Sequence, residues 1–138
     1  MRDEYDLERF VWAQEGVYPR ALAELRAGEK RSHWMWFIFP QIHGLGSSEM
    51  AVRFAISGLA EARAYLAHPV LGARIREATA AVLAVESRSV AEIFGFPDDL
   101  KFHSSITLFA SAERDGVFRE ALRKYFSGKM DAGTLARI

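Results

Sequence analysis

The stretch Lys30-Arg31-Ser32-His33-Trp34-Met35-Trp36-Phe37-Ile38-Phe39-Pro40-Gln41 carries the reading on which the fold class turns. Its apolar part has neither clean alternation nor a full amphipathic period. It fits a buried strand or a short buried helical turn that ends before Pro40. The aromatic density favours a strand locally, whereas helical patterns on both sides favour the turn. Bulky rings set so close together belong in the core in either conformation.

Working towards the N-terminus, Leu7, Phe10, Val11 and Gln14 follow a helical period with acidic residues early, and Gly16 ends it. Pro19 suits the first residue of a second helix carrying Leu22 and Leu25, with Gly28 as its terminator. Towards the C-terminus, Gly44-Leu45-Gly46-Ser47-Ser48 is a loop. A helix is predicted from Glu49 through Phe54 to Ile56, and helical spacing resumes from Leu59 to Leu66 after a break at Gly58.

His68-Pro69 marks the next boundary. Val70, Leu71, Ile75, Ala78, Val82 and Leu83 then form a long buried face reaching about Val85, with alanines that permit close helix–helix approach. Ser89-Val90-Ala91-Glu92 has capping-box spacing and starts a short helix ended by Gly95. Pro97-Asp98-Asp99 opens another, along which Phe102, Ile106 and Phe109 recur as far as about Ala110. Asp115 can cap a helix bearing Phe118, Leu122, Tyr125 and Phe126, with Glu120 and Lys124 paired on its outer face. Gly128 ends it, and Asp131 can cap a last turn containing Leu135. The expectation is an all-α, single-domain multihelical globule over residues 1–138, with roughly seven or eight helices and no solenoid repeat.

Composition agrees with this. The chain has 138 residues, half of them apolar and 12% aromatic, which is too hydrophobic for a disordered chain. Acidic and basic residues balance at 18 each, so no global field draws in nucleic acid or an anionic membrane. The apolar run Trp34 to Phe39 is far too short to span a bilayer. Fourteen basic residues are Arg and four are Lys, a bias that suits bidentate contacts to carboxylate or phosphate but that genomic base composition also produces. The lack of cysteine excludes disulfides, thiolate nucleophiles and cysteine metal sites. Met1-Arg2-Asp3-Glu4 is charged and leads into an amphipathic pattern rather than an apolar signal segment, so a cytoplasmic protein is expected.

Three features converge on a candidate site at residues 30–48. Lys30, Arg31 and His33 place cations and a titratable donor within four residues. Gly44 and Gly46 allow close backbone approach to a guest. Ser47 and Ser48 stand at a helix start, where free amides can hold an anion. Folded together, these pieces could surround one phosphate or carboxylate. The same residues also have a structural reading: the glycines shape a turn, a serine caps the helix and the cations stay solvated. His33 can be a satisfied imidazole, Gln41 can brace irregular backbone, and Trp34 and Trp36 suit core packing better than stacking on a ligand. Gly-Leu-Gly-Ser lacks the spacing and terminal Lys of a nucleoside-triphosphate loop.

A second constellation comprises Asp98, Asp99, Lys101, His103, Ser104, Ser105 and Thr107. His103 and Ser104 are neighbours that point about 100° apart on a helix, so they are not simply base and nucleophile. Asp99 and His103, one turn apart, could form a carboxylate–imidazole pair. Lys101 and Ser105 could join a ligand site from this helix, with capping and packing as the competing role. The histidines at 33, 43, 68 and 103 lack metal-ligand spacing, and no carboxylate lies in an apolar stretch that would raise its pKa.

The run Arg31 to Gln41, followed by Gly44-Leu45-Gly46-Ser47-Ser48, resembles the signature of the DUF1810 family of uncharacterised proteins. Further matching pieces are Phe10-Val11 with Ala13-Gln14, Ala64 to Gly72, Ile93 to Asp99, Ser104 to Phe109, and Tyr125-Phe126. The resemblance covers nearly the whole chain. It implies an all-helical fold with central buried helices, and it brings no reaction, cofactor or catalytic residue. Eukaryotic relatives look like helpers in the biogenesis of a translation factor. The family pattern keeps His33, Gln41, Gly44, Gly46, Ser48, Lys101, Ser104, Ser105 and Thr107.

The leading functional expectation is a non-catalytic binding or accessory protein with an as yet unidentified protein partner, related through its family to protein biogenesis. The alternative is a small-molecule enzyme or sensor that recognises a phosphate-bearing, nucleotide-like ligand. Its ligand-binding set would be Lys30, Arg31, His33, Gln41, Gly44, Gly46, Ser47, Ser48, Lys101 and Ser105. A third reading makes the motif purely structural.

Overall fold

In the computed structural model, which describes residues 3–114 and 116–138, the stretch Met35–Ile38 is a single helical turn and not a strand. The elements run α1 (Glu8–Gln14), α2 (Tyr18–Arg26), α3 (Met35–Ile38), α4 (Glu49–Arg53) and α5 (Leu59–Ala67). They continue with α6 (Leu71–Ala84), α7 (Val90–Phe94), α8 (Asp98–Ala112), α9 (Val117–Phe126) and α10 (Ala132–Leu135). The described residues hold ten helices where seven or eight are expected, and α3, α4, α7 and α10 are only four or five residues long.

Several boundaries follow directly from local chemistry. Ser48 caps α4 by accepting from the Ala51 amide, Ser89 and Glu92 form a reciprocal capping box on α7, and Asp131 accepts from the Thr134 amide on α10. His68 starts α6: its Nδ1 accepts from the amides of Val70 and Leu71. Asp115 lies outside the described residues, and Gly116 precedes α9.

Two expectations are corrected. Helix α4 stops at Arg53 and does not reach Ile56. The Ile56 amide donates instead to the Gln41 carbonyl at 2.8 Å and its carbonyl accepts from the His43 amide at 2.9 Å, an isolated parallel bridge between Ile42 and Ile56. Lys124 does not pair with Glu120; its Nζ donates to the carbonyls of Leu83 and Val85 at 2.6 and 2.7 Å and so closes the end of α6.

Helix α8 is central. It packs against α3, α5, α7, α9 and α10, and it is buried from Ser104 through Ala110 as well as at Phe102. Along such a buried stretch most polar side chains find their partners within the protein. Ser104, Thr107 and Ser111 do so by donating to the carbonyls of Leu100, His103 and Thr107, one turn back in each case.

The rings of the α3 segment key the core on two sides. Phe39 meets Phe102 edge-on at 5.0 Å and Phe94 at 6.0 Å, while Phe37 meets Phe54 at 5.5 Å. Phe10, Tyr65 and Phe109 continue the second cluster into α1, α5 and α8. No helix of the described residues is long and apolar enough to cross a membrane.

The corner between α5 and α6 depends on Gly72. A Cβ there would stand 2.1 Å from the Leu66 carbonyl oxygen, which is rigid backbone. Gly72→Ala should therefore destabilise the protein by about 2–3 kcal/mol, read as a lower midpoint in urea denaturation. An unchanged midpoint would show that the corner yields without cost.

Candidate functional site

The segment leading into α3 is organised by one carboxylate that the sequence did not single out. Glu24, on α2, accepts from the amides of Arg31 (2.8 Å) and Ser32 (3.0 Å), from Ser32 Oγ (2.5 Å) and from Trp34 Nε1 (3.0 Å). Burial pushes its pKa up, but these four bonds favour the charged form more strongly and bring it from 4.5 down to about 2. At the other end of the turn, buried Gln14 donates to the Phe37 carbonyl at 2.8 Å and accepts from Arg74 at 3.1 Å.

Lys30 is spent inside the protein. Its amide donates to the Ile93 carbonyl (2.7 Å), and its Nζ donates to the Ser32 carbonyl (2.6 Å) and pairs with Asp98 at 2.8 Å. The same ammonium lies 5.0 Å from the centre of the Trp34 ring, and the side chain is only 7% exposed. Asp98 also faces Lys101 Nζ at 3.6 Å, and Lys101 in turn lies over Trp36 at 5.6 Å. The 30s segment and the start of α8 are thus joined through one carboxylate shared by two cations.

Lys101 and Gln41 meet at a small hollow between α3, α4 and α8, lined also by Met35, Trp36, Phe39 and Ala51. Its volume is about 10 Å³, on the scale of one water molecule. Ser105, one turn beyond Lys101, is fully buried, and its Oγ has no hydrogen-bond partner among the described residues.

Gly44, Gly46, Ser47 and Ser48 form a separate, exposed neighbourhood. Gly44 has φ +92°, and a Cβ there would lie 2.8 Å from Arg137 Nε; one at Gly46 would lie 2.7 Å from the Ala51 methyl. The cation beside this loop is therefore Arg137, which sequence spacing could not reveal because it is about ninety residues away. No hydrogen bond or ion pair among the described residues links the loop to Lys30, Arg31 or His33. Arg31 is exposed and pairs with Glu29 at 3.1 Å, and His33 is exposed.

The second constellation is engaged in docking the C-terminal segment. His103 does not pair with Asp99; its Nε2–H donates to the Lys129 carbonyl at 2.8 Å, and its ring stacks on Phe126 at 3.9 Å. Asp131 accepts from Ser104 Oγ (3.2 Å) and Thr134 Oγ1 (2.7 Å), and its amide donates to Thr107 Oγ1 (2.9 Å). Among the described residues, no three His, Asp or Glu side chains gather as a metal-holding group.

The Glu24 hub makes a pH prediction. A depressed folded-state pKa contributes stability that is fully present above 4.5 and is lost as pH falls towards about 2. Glu24→Gln should cost about 2 kcal/mol at neutral pH and flatten the acid limb of the denaturation midpoint across that window. Parallel pH profiles for the variant and the native protein would remove Glu24 from this role.

The family model described as "Protein of unknown function (DUF1810)" matches residues 4–138. The crystal structure of the conserved hypothetical protein Rv1873 from Mycobacterium tuberculosis is similar at a TM-score of 0.95 and 56% identity. That likeness covers 97% of this chain and 96% of the other. No curated protein matches the chain. With its all-helical architecture and a match over nearly its full length, this chain belongs to the DUF1810 family.

Proposed function

We propose that this protein is a non-catalytic accessory protein that binds another protein at the face where α8 begins. The observation that carries this reading is the exposure of two large apolar side chains at the entry to α8, Phe96 (81%) in the turn before it and Leu100 (54%) in its first turn, beside the Lys30–Asp98–Lys101 cluster. Large apolar groups held in water at a helix entry are suited to insertion into a partner. Lys101 alongside, with exposed Arg31 and His33 on the segment that Lys30 ties to α8, favours an acidic partner surface. The hollow at Gln41 is too small for a metabolite, and the hydroxyls of Ser104 and Thr107 are committed to backbone and Asp131. A role in protein biogenesis, suggested by the family resemblance, fits such a surface.

A second reading rests on Arg137. Its guanidinium beside the exposed Gly44–Ser48 loop supplies a cation for a phosphate-bearing, nucleotide-like ligand. Calorimetric titration with ADP-ribose separates the two: Arg137→Ala should abolish binding if this reading holds.

The leading reading is tested by near-native pull-down with Phe96→Ala/Leu100→Ala. Both side chains are exposed, so stability should change by no more than about 0.5 kcal/mol, while recovery of a specific protein should fall about tenfold or more. Equal recovery, or turnover of a metabolite by the purified protein, would sink the proposal.

A further inference from the structure

On another part of the molecule, a cleft of about 580 Å³ opens between the N-terminal turn and the end of α5. One wall carries Asp3, Glu4 and Glu8; the other is formed by the small side chains of Ala64 and Ala67 with Pro69. The volume lies within the range of ligand clefts, about 300–1,000 Å³. Three carboxylates and the His68 imidazole line it, and no Lys or Arg does among the described residues.

The cleft is built on fixed parts. Asp3 accepts from the amides of Leu7 (2.7 Å) and Glu8 (3.0 Å), which pins the acidic wall to the first turn of α1. Leu7 and Phe10 are buried, and Phe10 meets Tyr65 of α5 edge-on at 5.1 Å, which fixes α1 against the opposite wall. Two apolar side chains are exposed outside the cleft. Trp12, one turn beyond Glu8 along α1, is 78% exposed, and Val70 beside Pro69 is partly exposed.

We infer that this cleft is a docking groove for a basic, amphipathic segment of a partner polypeptide, one that places large apolar side chains between α1 and α5 and Lys or Arg against Glu4 and Glu8. The occupant follows from two complementarities. The wall presents the exposed carboxylates of Glu4 and Glu8 with no Lys or Arg lining the cleft among the described residues, which calls for cations. The exposed Trp12 stands one turn beyond Glu8 on the same face of α1, outside the cleft, so an occupant that reaches both is an extended chain or helix. The groove is built from α1, the N-terminal turn and the end of α5, none of which carries Phe96 or Leu100, so it is a second surface and does not depend on the first.

The test uses the full chain and a fluorescein-labelled amphipathic leucine–lysine peptide, followed by anisotropy. Two control peptides have glutamate in place of lysine or serine in place of leucine. The leucine–lysine peptide should bind, and both controls should bind at least about tenfold more weakly. Glu4→Lys/Glu8→Lys should weaken binding about tenfold or more. So should Ala67→Trp, which fills the groove without altering charge. Phe96→Ala/Leu100→Ala should leave it unchanged. A thermal melt checks the fold of each variant, and Ala67→Met fills the same space if the tryptophan is not tolerated. Equal binding of the serine–lysine peptide, or binding indifferent to groove filling in a folded variant, would reduce the effect to general charge attraction and overturn the proposal. Absence of binding by the leucine–lysine peptide would overturn it as well.

Discussion

A helix of one turn cannot satisfy its own main chain, and this constraint shapes the molecule around α3. Every amide and carbonyl at its ends needs an outside partner, since buried unpaired groups cost about 1–3 kcal/mol each. Two side chains from earlier helices help to meet that need. Glu24 gathers the donors that precede the turn, and Gln14 serves the carbonyl of Phe37 near its end. With both ends held, the rings of Trp34, Phe37 and Phe39 enter the core at fixed positions.

From there the consequences reach α8. Phe39 wedges against Phe94 and Phe102, which stack on each other at 4.6 Å, so the short α7 and the long α8 are joined through a ring from α3. The ion pair between Lys30 and Asp98 ties the same segment to the first turn of α8. A buried pair of this kind offsets its desolvation only when further contacts complete it; the Ser32 carbonyl and the face of Trp34 do so here. The cluster therefore sets the register between the two segments more than it adds net stability.

Much of this architecture was legible in the sequence, and the illegible parts have a common cause. Long helices such as α6 and α8 carry several turns of spacing, and caps such as Ser89-Val90-Ala91-Glu92 act within four residues, so both can be read locally. The end of α4 could not, because Ile56 is drawn away by Gln41 on a different stretch of chain. Lys124 reads as one half of a helical ion pair until α6 brings the Leu83 and Val85 carbonyls to it. Glu24 looks like an ordinary solvated acid on an amphipathic helix; nothing in its neighbours indicates that four donors will converge on it. At the candidate site, Lys30 and Arg31 are adjacent in sequence, yet one is buried in an ion pair and the other exposed. Arg137 reaches the Gly44–Ser48 loop only through the tertiary fold.

Several polar residues of the family signature are engaged within the fold. Ser32, Trp34, Ser48, Ser104 and Thr107 have hydrogen-bonding duties that account for their chemistry without any ligand: the first two serve Glu24, Ser48 caps α4, and the last two hold Asp131. Much of what looks like a binding motif is thus the apparatus that folds an irregular turn and anchors the C-terminal segment. His33 is a different case. It belongs to the same signature but is exposed, one residue from a tryptophan that is wholly buried. Surface side chains without a folding duty are where recognition is expected, because core positions answer to packing. The exposed side chains that the rigid frame of the signature presents are therefore where a partner would be met.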